Sequence, residues 1–457
     1  MDRSARLGEG SIPRLLFHFS LPAIVGVMAQ ALYAVIDRVF VGRALGPEGI
    51  AGITVAFPFM LIILAFGMLV GFGATALISI RLGERNKAEA ELALGNALVL
   101  LTLISIVITA IGAAFLDPIL SALGASDTVL PYARDYLRII VLGTIFQMIG
   151  FGLNATIRGE GNPRVAMLSM LISVLVNLIL APVFIFGFSW GMKGAALATV
   201  IAQAVTAVWV LAYFLSRASL LRLHARNLRL NRAICTSIFE IGLPSCAMQI
   251  ANSILQRILI GQLHTHGGDM AVSVFGIIYS ALMVIAMPIV GINQGSQPII
   301  GYNYGARRFD RVKKALETAI LAASALVLLG FAVMMAFPAE FVRLYLGRND
   351  PSLLALTALG TRAIRITMIT LPIVGFQIVG AGYFQAVGKP KEAMLLMLSR
   401  QVLFLIPAVL ILPHFFHLDG VWATIPTADV LSSVLTGVCL LVELRHLRVK
   451  HASSNGA

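Results

Sequence analysis

Charge is what this sequence has least of. Only 12% of its 457 residues are Asp, Glu, Lys or Arg, where a soluble domain carries about 25%. That shortage excludes an ordinary water-soluble globule. Cysteine is scarce too. Cys235, Cys246 and Cys439 show no metal-ligand spacing and read as packing residues rather than a disulfide framework. Catalytic signatures are missing: no HExxH, no Walker P-loop, no Rossmann fingerprint, and no Ser/His/Asp trio within reach. The eight histidines fall in loops or at span ends, where an imidazole is simply solvated. An enzyme is therefore not expected. With no nucleotide site, any pumping must draw on an ion gradient.

What the sequence has is apolar length. Hydrophobic residues make up 59%, and the mean hydropathy is +0.92. The apolar residues form long runs, not short alternating ones, so the spans are helices rather than barrel strands. Twelve runs reach or approach the roughly 20 residues a bilayer needs. They lie near 14–42, 50–80, 92–116, 131–157, 164–188, 193–215, 237–263, 272–303, 315–338, 353–386, 391–413 and 420–444. The first follows Arg3, Arg6 and Arg14 and is far longer than a signal-peptide core, so it reads as an uncleaved helix. The expected fold is an all-α integral membrane protein.

The net charge of +13 would suit nucleic acid, but its placement argues otherwise. With both termini inside, 23 Lys/Arg fall in inner segments and eight at outer ends, while Arg38, Arg257 and Arg400 lie within spans. That asymmetry predicts a multi-pass protein of the cell (inner) membrane with both ends cytoplasmic. The longest loop carries Arg217, Arg222, Arg226, Arg229 and Arg232. It divides the chain into an amino-terminal lobe (1–215), a basic connector (216–236) and a carboxy-terminal lobe (237–457).

The two halves repeat. Gln30-x2-Tyr33-x3-Asp37-Arg38 matches Gln249-x2-Asn252-x3-Gln256-Arg257; Gly73 and Gly83 match Gly295 and Gly305; Gly161-Asn162-Pro163 matches Gly388-Lys389-Pro390. Six spans per half is an even number, so the repeat is parallel, about an axis along the membrane normal. Prolines interrupt many spans, Pro22 first among them, and each is either a fixed kink or a hinge.

Only two acids lie well inside spans, Asp37 and Asp429. An ionisable group there is costly and marks a functional site by default. Asp37 shares a helical stripe with Gln30 and Tyr33. It stands six residues before Arg43, about 9 Å from the outer end at 1.5 Å per residue. Its bland alternative is an acid that only ties helices together. Further polar stripes run through Ser169, Ser173 and Asn177, through Thr199 and Gln203, through Gln147 and Asn154, and through Asn293, Gln294 and Gln297. Each alone reads as interhelical glue. Together they suggest a polar cavity, with Gln249, Asn252, Gln256, Asn293, Gln297 and Asp429 as its candidates in the second half.

These segments resemble the multidrug and toxic compound extrusion (MATE) family, in its bacterial multidrug-export branch. The likeness runs along the whole chain in HFSLPAIVG, VIDRVFVGRALGPEGIAGI, RGEGNP, VNLILAPVFIFGF, GMKGAALATVIAQ, EIGLPS, GINQGSQPIIGYNYGA and QAVGKPKEAM. The resemblance implies two six-helix lobes in a V around a central cavity. It also implies antiport, with H⁺ or Na⁺ entering as an organic substrate leaves. By motif, Asp37, Tyr136, Asn177 and Thr199 take the ion-coupling positions. Gln30, Tyr33 and Asn154 take substrate positions, and Pro22 the bend of the first helix. Many relatives carry a second acid four residues after the asparagine, where this chain has Ala181; the loss favours H⁺ over Na⁺. Gln256 stands where another branch has a carboxylate. The expected partners are a small organic substrate and the bilayer, with no nucleic acid, no metal and no cofactor beyond the coupling ion, in a monomer. A flippase for a lipid or lipid-linked saccharide would need a strongly cationic cavity, which three in-span arginines do not make.

Overall fold

The computed structural model describes residues 7–344 and 353–455. Arg3, Arg6 and Arg348, part of the charge asymmetry above, lie outside the described residues, as do the side chains of Arg448 and Lys450. Among the described residues all regular structure is helical. The helices are α1 (Ile12–Gly83), α2 (Lys87–Ala114), α3 (Leu116–Ala122), α4 (Leu130–Leu142), α5 (Thr144–Gly159), α6 (Pro163–Pro182), α7 (Gly191–Leu215), α8 (Arg232–Gly305), α9 (Phe309–Ala336), α10 (Pro338–Arg343), α11 (Leu353–Thr367), α12 (Leu371–Ala386), α13 (Pro390–Leu398) and α14 (Ile406–Asn455). Wide π-helical turns follow α6 at Val183–Gly187 and α13 at Ser399–Leu405.

Twelve spans emerge once bends are read physically. The pairs α4–α5 and α11–α12 each form one span, bent by 56° and 48°. Three long runs each cross twice, because the backbone breaks inside them at Gly46 (φ 70°), Gly268 (φ 62°) and His417 (φ 50°). Glycine accepts the left-handed conformation without a Cβ clash, which is why the first two hairpins turn there. The local geometry repeats between halves as the sequence does. Arg85 and Arg307 both have positive φ after the matched Gly83 and Gly305, and so do Gly161 and Gly388 before the matched prolines. Pro163 and Pro390 then open their helices, where a missing N–H costs nothing.

The cores cross the repeat boundary. Leu7, Ile12, Leu16 and Phe19 pack in the core of the carboxy-terminal half, whereas Ile234, Ile238 and Ile241 pack in that of the amino-terminal half. Side-chain bonds to the backbone reinforce this exchange. Asn303 donates to the Leu7 carbonyl (3.0 Å) and Arg311 to that of Gly10 (2.6 Å). In the other half, Asn96 donates to the carbonyls of Asn227 and Arg229 (both 3.2 Å) and accepts from the Asn231 amide (2.7 Å).

Glycines bring α1 and α8 into backbone contact at the end of the molecule nearest the amino terminus. A Cβ on Gly83 would lie 2.0 Å from the Tyr302 oxygen, and one on Gly305 would lie 2.1 Å from that of Ile80. Gly73 and Gly242 approach Ile238 and Leu69 in the same way. At the opposite end, Gly261, Gly268 and Gly276 meet nothing within 4 Å.

Candidate functional site

The first half of α1 carries Gln30, Tyr33 and Asp37 down one face. The helix runs unbroken past Pro22 to Gly46, so Asp37 sits nine residues from the break, about 14 Å deep at 1.5 Å per residue. The backbone keeps helical φ/ψ through Pro22. Asp37 is 6% exposed. Its Oδ1 has no hydrogen-bond donor within reach among the described residues. Beside it the Tyr33 hydroxyl meets Thr199 Oγ1 at 3.2 Å, and Asn177 Nδ2 donates to both Thr199 Oγ1 (3.2 Å) and the Tyr33 hydroxyl (3.4 Å). The phenols of Tyr33 and Tyr136 both lie within the electrostatic reach of the Asp37 carboxylate. Arg38 is also within the electrostatic reach of Asp37, and its guanidinium lies 5.5 Å from the centre of the Phe57 ring. Four spans thus converge on one carboxylate that can hold a proton, release it, or attract a cation.

A cavity of ≈ 110 Å³ adjoins this network, and Gln30, Tyr33, Asn154 and Thr199 line it. So do Gln147, Ser173, Gln203 and Thr206, over an apolar floor that includes Phe146, Phe151 and Met170. Asn154 is held in place: it donates to the Ala166 carbonyl (2.7 Å) and Ser169 (2.5 Å) and accepts from Arg158 (2.7 Å). A separate groove of ≈ 550 Å³ between α1 and α2 is lined by Phe59, Phe66, Leu103 and other apolar side chains, with almost no polar surface to orient a ligand.

The candidates of the second half do not line this cavity. Gln256 donates to the Tyr279 hydroxyl (2.7 Å), Asn252 accepts from Gln401 (2.8 Å), and Gln297 donates to Gln385 (3.4 Å). Gln249 is half-buried, and the Asn293 side-chain oxygen is buried without a partner among the described residues. Asp429 is ion-paired: Oδ1 accepts from Arg400 Nε (2.7 Å) and Oδ2 from Thr370 (3.1 Å).

Other buried polar residues stand close to the site. Arg158, one residue past the fourth apolar run, is 5% exposed and donates to Asn154 of the cavity wall. Thr206 extends the Thr199–Gln203 stripe by three residues and could have been read from that spacing. Glu160 is buried at the carboxy-terminal cap of α5, where it accepts from Tyr213, from Ser219 (2.7 Å) and from the Leu221 amide (3.2 Å). That clasp pins the basic connector to the first half. Burial pushes the Glu160 carboxyl above its ordinary range, and these donors oppose the shift.

The MatE family profile matches residues 22–183 and 244–410. The multidrug export protein MepA of Staphylococcus haemolyticus is 27% identical over 445 residues, 97% of each chain. MepA of Staphylococcus aureus (strain MSSA476) is 27% identical over 418 residues, 89% of each. Among solved structures, the MATE multidrug transporter DinF-BH in complex with R6G superposes with a TM-score of 0.89 at 40% identity, covering 98% of this chain and 99% of that one. An outward-facing multidrug resistance MATE transporter of the MOP superfamily superposes at 0.90 with 26% identity, covering 97% and 98%. Family profile, relatives and fold coincide along nearly the full chain, so this membrane-spanning protein belongs to the MATE family of multidrug transporters.

Proposed function

We propose that the protein is an H⁺-coupled antiporter that exports amphipathic cationic organic compounds by alternating access. The observation that carries the reading is Asp37: a buried carboxylate with one oxygen unpartnered among the described residues, beside the Tyr33–Asn177–Thr199 network and a polar cavity. Burial without a partner penalises the charged form, so the site gains from taking up either a proton or an organic cation. Buried Ala181, four residues after Asn177, supplies no second carboxylate, which favours a proton over a many-oxygen Na⁺ cage.

A cavity of ≈ 110 Å³ is smaller than the roughly 300 Å³ that drug-sized ligands need. Substrate entry must therefore widen it or use the space between lobes. The lobes, 1–215 and 237–457, rock about the glycine-packed end, with 216–236 as the strap between them. With both termini cytoplasmic, that packing closes the inner side and makes this the outward-open state. The protein works as a monomer in the cell membrane. R6G in the complex of the structural relative is an example of the cargo class.

The test is efflux in inverted vesicles with an imposed pH gradient. Asp37→Asn should abolish gradient-driven efflux while the protein still reaches the membrane. Undiminished transport by that variant refutes the coupling role.

A further inference from the structure

The repeat can be carried inside the helices, residue by residue. Ser173 stands ten residues after Pro163, as Arg400 stands ten after Pro390. Gln203 stands nine after Gly194, as Asp429 stands nine after Gly420. In the first half, Ser173 and Gln203 both line the cavity, and the Gln203 oxygen is buried with no partner among the described residues. In the second half the same two positions hold an ion pair. Arg400 Nε lies 2.7 Å from Asp429 Oδ1, with 26% and 3% of the side chains exposed, and Thr370 donates to the other carboxylate oxygen at 3.1 Å.

We propose that Asp429 is a cation-binding carboxylate of the second lobe, occupied by a tethered guanidinium, Arg400, in the place where the first lobe keeps its cavity. Its ligand class is a monovalent planar organic cation of guanidinium type. The backbone supports the assignment. The π-helical turn Ser399–Leu405 begins beside Arg400. Such a turn widens a helix and is frequent at functional sites. The next residue in the same turn, Gln401, donates to Asn252 (2.8 Å). A buried carboxylate stripped of its partner is strongly destabilising, so a free site of this kind will take a replacement cation. The consequence rests on the transport reading: with the second site self-liganded, only the first lobe exchanges an ion, so one coupling ion moves per cycle.

The experiment needs no transport, so its failure is separate from failure of that reading. Purified full-length Arg400→Ser, which restores the residue of the first lobe, is melted with millimolar methylguanidinium chloride or with equal NaCl. Methylguanidinium should raise its melting temperature. The wild type, whose site is filled, and the double variant Arg400→Ser/Asp429→Gln, which lacks the carboxylate, should not respond. If Arg400→Ser gives no folded protein, Asp429→Ala is melted with acetate against chloride, and acetate should stabilise it. Absence of rescue, or equal rescue of the double variant, overturns the proposal.

Discussion

The packed end of the molecule gives the sharpest test of alternating access. Gly83 and Gly305 face each other's backbones across α1 and α8, and a Cβ on Gly305 would sit 2.1 Å from the Ile80 oxygen. Real Cβ atoms essentially never come nearer than 3.0 Å, and the obstacle is backbone, which cannot swing aside. The helices must part by about 1 Å, and overpacking of that kind costs about 1–3 kcal/mol. The cost falls only on the state in which this end is closed. Since about 1.4 kcal/mol is tenfold, Gly305→Ala should shift the population toward the open state by roughly 5- to 150-fold. Gly83→Ala should do the same. The double variant should cost little more than either single change, because one separation relieves both clashes. Cys246 offers a native reporter: it is 4% exposed and packs with Ala65 and Leu69 at this interface. In a Cys235→Ser/Cys439→Ser background, a membrane-permeant maleimide should label Cys246 faster in each alanine variant. Labelling at the parental rate, with transport intact, would show that this end never parts.

Other changes probe the network and the strap. Tyr33→Phe removes the hydroxyl that joins Thr199 and Asn177; at about 0.5–1.5 kcal/mol for such a bond, gradient-driven efflux should fall roughly two- to tenfold at unchanged expression. Glu160→Gln turns one acceptor oxygen into a donor that faces the Tyr213 and Ser219 hydroxyls or the Leu221 amide. It should cost about 1–3 kcal/mol and speed tryptic cleavage of the connector at its arginines. The pH dependence has a definite sign. Because the folded-state value of Glu160 is raised, the folded protein holds that proton more tightly than the unfolded chain. The linked stabilisation is full below the ordinary carboxyl range and is lost as pH rises through the raised value. The stability gap between wild type and Glu160→Gln should therefore depend on pH in that window, and melts at several pH values measure it.

Much of this was legible without coordinates. Span number, the parallel repeat and the placement of Asp37 follow from hydropathy and from polar residues at helical spacing. Both are local properties of the chain, because a bilayer forces each apolar run to satisfy its own backbone as a helix. The stripe of Gln30, Tyr33 and Asp37 needed only 3.6 residues per turn. Folding decided which stripes meet. Ser173 and Gln203 read alone as ordinary ties, yet they bound a cavity. Asp429 read alone as a second free acid, yet Arg400, on a neighbouring span, neutralises it. The cores cross between halves at the glycine-packed end, which a division at the connector cannot show. Sequence periodicity fixes the face of a helix on which a group lies, whereas its charge balance and its access to space depend on which other helix that face meets.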